Sequence, residues 1–276
     1  MDMTAKIAHL PSRTVLALEG PDRFAFLQGL TSNDMKLAEN GQPVFTCLLT
    51  PQGKYLFDFI VKPEGDHLLL DCEAERAEEL LKRLTQFRLR ANISLSRHEA
   101  SVYAAWDDSE ALPDAFVDPR LPQLGQRIIT KINAKTSASA DEYLNHRYAW
   151  GVAEGAHEII LNNATLLELN FDLLNGVSFT KGCYMGQELT ARTHYRGLIK
   201  KRYFPFSFEG QMPVRGHRIL SQEFEVGEVM AITETCGLGL FNLERVKPFI
   251  KEERPIVFEG ASYTVTVPDY LKPVIS

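Results

Sequence analysis

Phe45-Thr-Cys-Leu-Leu-Thr-Pro-Gln-Gly-Lys-Tyr-Leu-Phe-Asp-Phe-Ile-Val61 decides the fold class. Two runs rich in β-formers, Phe45–Thr50 and Lys54–Val61, flank Pro51-Gln-Gly53, which predicts a hairpin. Upstream, Val15–Leu18 reads as a short strand. Arg23–Leu30 reads as a helix, with Phe24, Leu27 and Leu30 at helical spacing and Pro21 suited to a first turn. Thr31–Asp34 reads as a turn or the cap of a next short helix. Downstream, His67–Cys72 reads as a third strand. A helix from Ala74 to about Phe87 follows, its apolar stripe made by Ala77, Leu80, Leu81, Leu84 and Phe87. Glu78–Lys82 and Glu79–Arg83 are i,i+4 pairs on its wet side.

Asn92 to Trp106 predicts two more strands, and Asp107 to about Gln126 is loop-rich, with three prolines. A second helix is expected from about Asp141 to Trp150, opened by a Ser139/Glu142 capping box and stopped at Gly151. Strands and helices thus alternate without long βαβ spacing, which favours α+β over a doubly wound sheet. From about Lys200 the texture changes. Phe204–Phe208, Val226–Ile232, Leu238–Leu243, Pro255–Phe258 and Tyr263–Val267 are short strands with turn residues between them, the pattern of a small β-barrel. The expected division is residues 1–199 and 200–276.

The chain has 276 residues, 45% apolar and 24% charged, which places it among ordinary globular proteins large enough for several packed units. No apolar run approaches the roughly 20 residues that span a bilayer, so no membrane partner is expected. The start, Met1-Asp-Met-Thr-Ala-Lys6, has neither a signal-peptide layout nor an Arg- and Ser-rich presequence, and a cytoplasmic location is the expectation. The net charge of −6 argues against nucleic acid as partner. The cysteines are Cys47, Cys72, Cys183 and Cys236, with no CxxC spacing, so no resident metal is expected. Cys47, Cys72 and Cys236 read as buried small hydrophobes.

Lys181-Gly-Cys-Tyr-Met-Gly-Gln-Glu188 carries the chemistry. A cysteine ahead of the helix opened by Gly186–Arg192, beside Lys181, sits in positive potential that favours the thiolate. The same residues also describe a tight Gly–Cys turn with a buried sulfur. From Lys181 to Arg202 there are six Lys or Arg and one acid, Glu188. A solvated face, a nucleic-acid surface and an anionic ligand such as a folate with its glutamate tail all fit such a run.

The octapeptide resembles the signature of YgfZ-type folate-binding proteins, a branch of the glycine-cleavage aminomethyltransferase superfamily. With Asn175–Thr180 before it and Leu189–His194 after it, the segment is most similar to the mitochondrial iron–sulfur assembly members. Gly20–Asp34, Leu49–Val61, Asp118–Arg127, Gly151–Gly155, Gly227–Ile232 and Gly237–Leu240 extend the resemblance over nearly the whole chain. It implies a ring-like arrangement of two folate-binding α+β subdomains and a C-terminal β-barrel around tetrahydrofolate. It also implies a role in assembly or repair of [4Fe–4S] proteins through Cys183, with iron–sulfur client enzymes or cluster assembly proteins as partners.

By the same resemblance Asp58 falls where the transferases carry an acid near folate, able to bond the pterin or steady a cation; as a strand residue it could equally face outward, with Phe57, Phe59 and Val61 inside. Glu168 falls where those relatives grip the pterin amino groups, or is a helix-surface acid. Asn33 and Asn170 are further cofactor-binding candidates. Arg196 and Lys201 could meet a glutamate tail or belong to a solvated face, and His194 stands in the motif extension. The leading reading is a folate-dependent accessory factor rather than a conventional enzyme. The alternatives are a folate-dependent one-carbon transferase or demethylase using Asp58 as acid/base, and an RNA-modifying folate enzyme.

Overall fold

A computed structural model describes residues 5–107 and 112–275. Residues 1–4, part of the stretch read for a leader, and 108–111, part of the proline-containing loop, lie outside the described residues. The N-terminal elements are β1 (Lys6–His9), β2 (Arg13–Glu19), α1 (Arg23–Leu30), α2 (Lys36–Glu39), β3 (Val44–Leu49), β4 (Tyr55–Glu64), β5 (His67–Glu73), α3 (Ala77–Phe87) and β6 (Ser94–His98). Then come β7 (Ser101–Trp106), β8 (Ala115–Val117), β9 (Gln126–Thr130), α4 (Ala140–Ala149) and α5 (Gln187–Tyr195). The last part holds β10 (Lys201–Gly210), β11 (Arg218–Ser221), β12 (Phe224–Ile232), β13 (Cys236–Asn242), α6 (Leu243–Lys251), β14 (Ile256–Phe258), β15 (Ala261–Val265) and α7 (Lys272–Ile275).

These strands form three antiparallel sheets, ordered β3-β4-β5-β2-β6, β1-β7-β9-β8 and β11-β12-β13-β10-β15-β14. The hairpin read from the sequence is β3 on β4, with Cys47 opposite Asp58. Both faces of the first sheet are covered, and strand alternation sorts its residues between them. Leu16, Leu18, Phe57, Phe59 and Val61 face α1 and α3, whereas Val15, Ala17 and Leu69 pack on the second sheet with Ala104, Trp106 and Tyr143. In the third sheet the edge strands β11 and β14 approach each other, so six strands nearly close a barrel. The mixed α+β class and the C-terminal barrel are therefore as the sequence pattern predicts.

A central core joins the three sheets. Phe45, Tyr55 and Ile60 from the hairpin meet Leu124 and Tyr148, Phe171 and Leu174, and Tyr203, Met230 and Leu238 from the barrel. The segment crossing this centre, residues 166–175, runs as consecutive turns rather than a helix. Asn170 and Asn175 take left-handed backbone there, at φ 62° and 55°, a conformation asparagine tolerates better than most residues. Helix α4 carries the expected capping box: Ser139 Oγ accepts from Glu142 N at 3.1 Å and the Glu142 carboxylate accepts from Ser139 N at 2.9 Å.

Candidate functional site

The motif segment forms an arch between two buried anchors. Lys181 is 7% exposed, and its ammonium donates to the carbonyls of Thr31 and Asn33, both at 2.7 Å. Burial pulls its pKa down to about 8, against a smaller opposing pull from Asp34. The ammonium also lies 5.1 Å from the Tyr184 ring centroid. Tyr184 is buried, and loss of solvent pushes its phenol up to about 12. Between these anchors Gly182 and Cys183 are exposed, and a Cβ on Gly182 would meet open space. The sulfur is thus presented to solvent, and Lys181 turns inward to hold the arch.

The far side of the arch is fixed by backbone contact. Gly186 has φ +78° and caps α5. A Cβ there would fall 2.5 Å from the carbonyl oxygen of Thr50 and 2.9 Å from the Cα of Gly53, so only glycine lets the motif seat on the hairpin turn. Asn33 completes the seat. Its amide donates to Phe45 O at 2.9 Å and Asn175 O at 2.6 Å, and its side-chain oxygen accepts from Asp34 N at 2.8 Å. Ser32 Oγ donates to Gly176 O at 2.6 Å and accepts from Cys47 N at 2.9 Å.

Beneath the hairpin lies a buried charge network. Asp58 is 3% exposed. Its Oδ1 accepts from the Tyr55 hydroxyl and from Gly155 N at 3.0 Å, and its Oδ2 lies 3.9 Å from Arg13 Nη1. Over Tyr55–Val61 neither side of β4 faces solvent, which is why the strand admits no outward register for Asp58. Arg13 Nε donates to Asp71 Oδ1 at 2.7 Å. Arg120 grips Asp118 through two nitrogens at 2.9 and 2.7 Å, and Arg120 and Arg127 donate to Glu154 Oε2 at 2.6 and 2.8 Å. Burial works to raise the Glu154 carboxyl, yet Arg13, Arg127 and Arg120 hold it well below the usual carboxylate range. Sequence reading picked out Asp58 alone of this set. The available signal was a charged residue inside an apolar strand, which Asp71 in Leu68-Leu-Leu-Asp71-Cys72 also shows.

The residues named for a cofactor do not surround one cavity. Asn170 is fully buried: its amide donates to Tyr203 O at 2.7 Å and its oxygen accepts from Arg202 at 3.2 Å. Asn33 borders a cleft of about 790 Å³ lined also by Phe45, Val117, Asp118, Asn175 and Phe179. Glu168 borders a cavity of about 330 Å³ with Thr193, Leu198, Lys200 and Lys201. Its Oε2 accepts from Thr165 N and Oγ1, both at 2.8 Å, and Oε1 has no partner among the described residues. Lys201 is paired with Glu225 at 3.0 Å. Arg196 is exposed at the end of α5, and His194 stacks on Phe179 at 3.7 Å. Among the described residues no three His, Cys, Asp or Glu are grouped to hold a metal ion, and no helix is long and apolar enough to cross a membrane.

A family model described as CAF17, C-terminal beta-barrel domain, matches residues 200–273. The human iron-sulfur cluster assembly factor IBA57, mitochondrial, is 34% identical over 276 residues, covering 86% of this chain and 78% of the human one. The chain belongs to the IBA57 family of iron–sulfur cluster assembly factors. The IBA57 homolog of Neurospora crassa is 32% identical over 77% of this chain, and that of Pyricularia oryzae 35% identical over 73%. The chain spans only a little over half the length of these two fungal relatives, 56% and 57%. Among solved structures, the glycine cleavage system aminomethyltransferase T from Bartonella henselae superposes with a TM-score of 0.69 at 14% identity, over 97% of this chain and 86% of that one, which establishes a shared fold.

These relatives correct the cytoplasmic expectation, because the IBA57 relatives are named mitochondrial proteins. Ordinary globular composition and the lack of an apolar span fit any aqueous compartment and do not separate one from another.

Proposed function

We propose that this protein serves the assembly or repair of [4Fe–4S] proteins through the thiol of Cys183. The observation that carries the reading is an exposed cysteine on an arch pinned at both ends, in a chain whose relatives are named iron–sulfur cluster assembly factors. A cubane cluster takes about four ligands, and Cys183 offers one. The remaining ligands must come from a partner, so the cluster is shared cargo passed across an interface, with cluster assembly proteins and client enzymes as the partners. The pinned arch supports this role by holding the sulfur outward without ordering cost on encounter.

Asp58 favours an accessory role over a transferase. An acid/base needs access to substrate, and this carboxylate is enclosed by Tyr55, Gly155 and Arg13.

Tetrahydrofolate enters the proposal more narrowly. Of the residues named for it, Glu168 lines a cavity together with Lys200 and keeps one carboxylate oxygen without a partner among the described residues. Such a carboxylate suits the amino groups of a pterin, which offer it paired donors. Asn33, Asn170 and Asp58 act as framework around the core. In calorimetric titration, tetrahydrofolate binding that Glu168→Gln weakens is the expected result, and binding indifferent to that change overturns this assignment. For the thiol, cells carrying Cys183→Ala should lose [4Fe–4S] enzyme activity while keeping the protein at normal abundance. Wild-type activity in those cells would sink the reading.

A further inference from the structure

We infer that the outer face of α5 is a docking surface for an acidic protein, which it steers onto Cys183. The inference rests on the proposed role of that thiol and names the chemistry of its partner.

Helix α5 has two unlike sides. Leu189 packs against the hairpin turn, where a Cβ on Gly53 would lie 2.8 Å from the Leu189 Cβ, and Thr190 is buried. Glu188, Arg192 and Tyr195, spaced i, i+4 and i+7, share an exposed face, and Arg196 follows at the C-cap, exposed as well. Tyr195 is 70% exposed and Leu198, just beyond the helix, 53%. Arg192 and Arg196 make no ion pair or side-chain hydrogen bond among the described residues, whereas Arg13, Arg120, Arg127, Arg147 and Arg202 are all engaged with carboxylates. In a chain of net charge −6, two unpaired guanidinium groups one turn apart, beside an exposed tyrosine and leucine, make a local positive patch with apolar contact area.

This composition matches a protein interface. Arginine and tyrosine are the side chains that most often anchor such contacts, and a free guanidinium takes a carboxylate through two parallel hydrogen bonds. A nucleic-acid strand would call for a longer cationic track, and Glu188 interrupts this one. A carrier whose cluster is held by thiolates adds negative charge of its own, so an acidic surface around those ligands complements the patch. Because Gly186 locks α5 to the same turn that seats the arch, the patch and the sulfur keep a fixed relation, and attraction to one delivers a partner to the other.

The test uses the purified full chain and two short cysteine peptides, one flanked by Asp and Glu and one by Lys, each activated as a mixed disulfide with thionitrobenzoate. The Cys183 thiolate attacks the peptide sulfur, a protein–peptide disulfide forms, and thionitrobenzoate leaves and is read by its absorbance. The acidic peptide should react about 10-fold faster than the basic one at low ionic strength. The preference should vanish in about 0.5 M salt and in the Arg192→Gln/Arg196→Gln double variant. Iodoacetamide, which is uncharged, should label Cys183 at the same rate in both proteins, showing that arch and thiol are intact. Equal peptide rates, or a preference that survives the double variant, overturn the inference. So does retention of single-stranded RNA through Arg192 and Arg196 without any peptide preference. If cells with Cys183→Ala keep their cluster enzymes while the peptide preference stands, the cluster role fails and the docking surface remains.

Discussion

Gly186 of the motif and Gly53 of the hairpin turn meet backbone to backbone. A Cβ on Gly53 would lie 2.7 Å from the Gly186 carbonyl oxygen, and a Cβ on Gly186 would lie 2.9 Å from the Gly53 Cα. Gly186 also has φ +78°, so Gly186→Ala adds backbone strain to a clash with Thr50 O. Strain of this kind costs about 1–3 kcal/mol, and the variant should unfold several degrees lower and lose cluster-dependent activity with Cys183 untouched. Gly182→Ala, next to the Lys181 anchor and open to solvent, should stay within about 1 kcal/mol of wild type. Thermal melts of the pair check the claim, and equal melting points would show that the contact is not what seats the arch.

Lys181 supplies a pH signature. Its pKa falls from the ordinary 10.5 to about 8 through burial. Between these values the unfolded chain holds a proton that the folded chain has released, so stability rises with pH across that window. Below about pH 8 the full penalty of burying the ammonium is present. Wild type should therefore gain on Lys181→Met in urea midpoint as pH rises from 8 toward 10.5. Midpoints that move in parallel would mean that the ammonium is not desolvated.

The four thiols should separate in mass-resolved alkylation. Burial pushes Cys72 up to about 12 and raises Cys47 well above the usual thiol range, and both are buried. Cys236 is half-buried, its sulfur 3.4 Å from Thr233 Oγ1. Near neutral pH, Cys183 should be modified first and Cys47 and Cys72 only on unfolding. Modification of Cys72 at the rate of Cys183 in native protein would contradict the burial of β5.

What the sequence revealed follows from how local each signal is. Pro51-Gln-Gly53 between two β-rich runs and Ser139 three residues before Glu142 are local, and the hairpin and the α4 cap appear where they predict. Strand β11 and helix α6 are absent from the sequence reading. Arg218–Ser221 is only four residues long, and Pro248 breaks the stripe of Val246, Phe249 and Ile250. The candidate site was legible as a motif, but its pairings were not. Lys181 reads as a cation for the thiol, yet its partners are carbonyls about 150 residues away. Asp58 reads as a lone acid because Arg13 and Gly155 reach it only through the fold.

The same long-range pairing makes Asp58 the sharpest test of what kind of protein this is. Its Oδ1 holds the Tyr55 hydroxyl and Gly155 N, and its Oδ2 faces Arg13, whose Nη1 is also 3.8 Å from Glu154. Asp58→Ala removes one negative partner from a buried set of arginines. Breaking such a set by one member costs about 3–5 kcal/mol, enough to lower the melting point by several degrees and reduce abundance in cells. Asp58→Asn keeps the shape and one acceptor oxygen and should cost less. Cluster-enzyme activity per folded molecule should be unchanged in Asp58→Asn, because the carboxylate supports the hairpin and touches no cargo. Activity lost from a variant that melts like wild type would instead assign Asp58 a chemical step and revive the transferase reading.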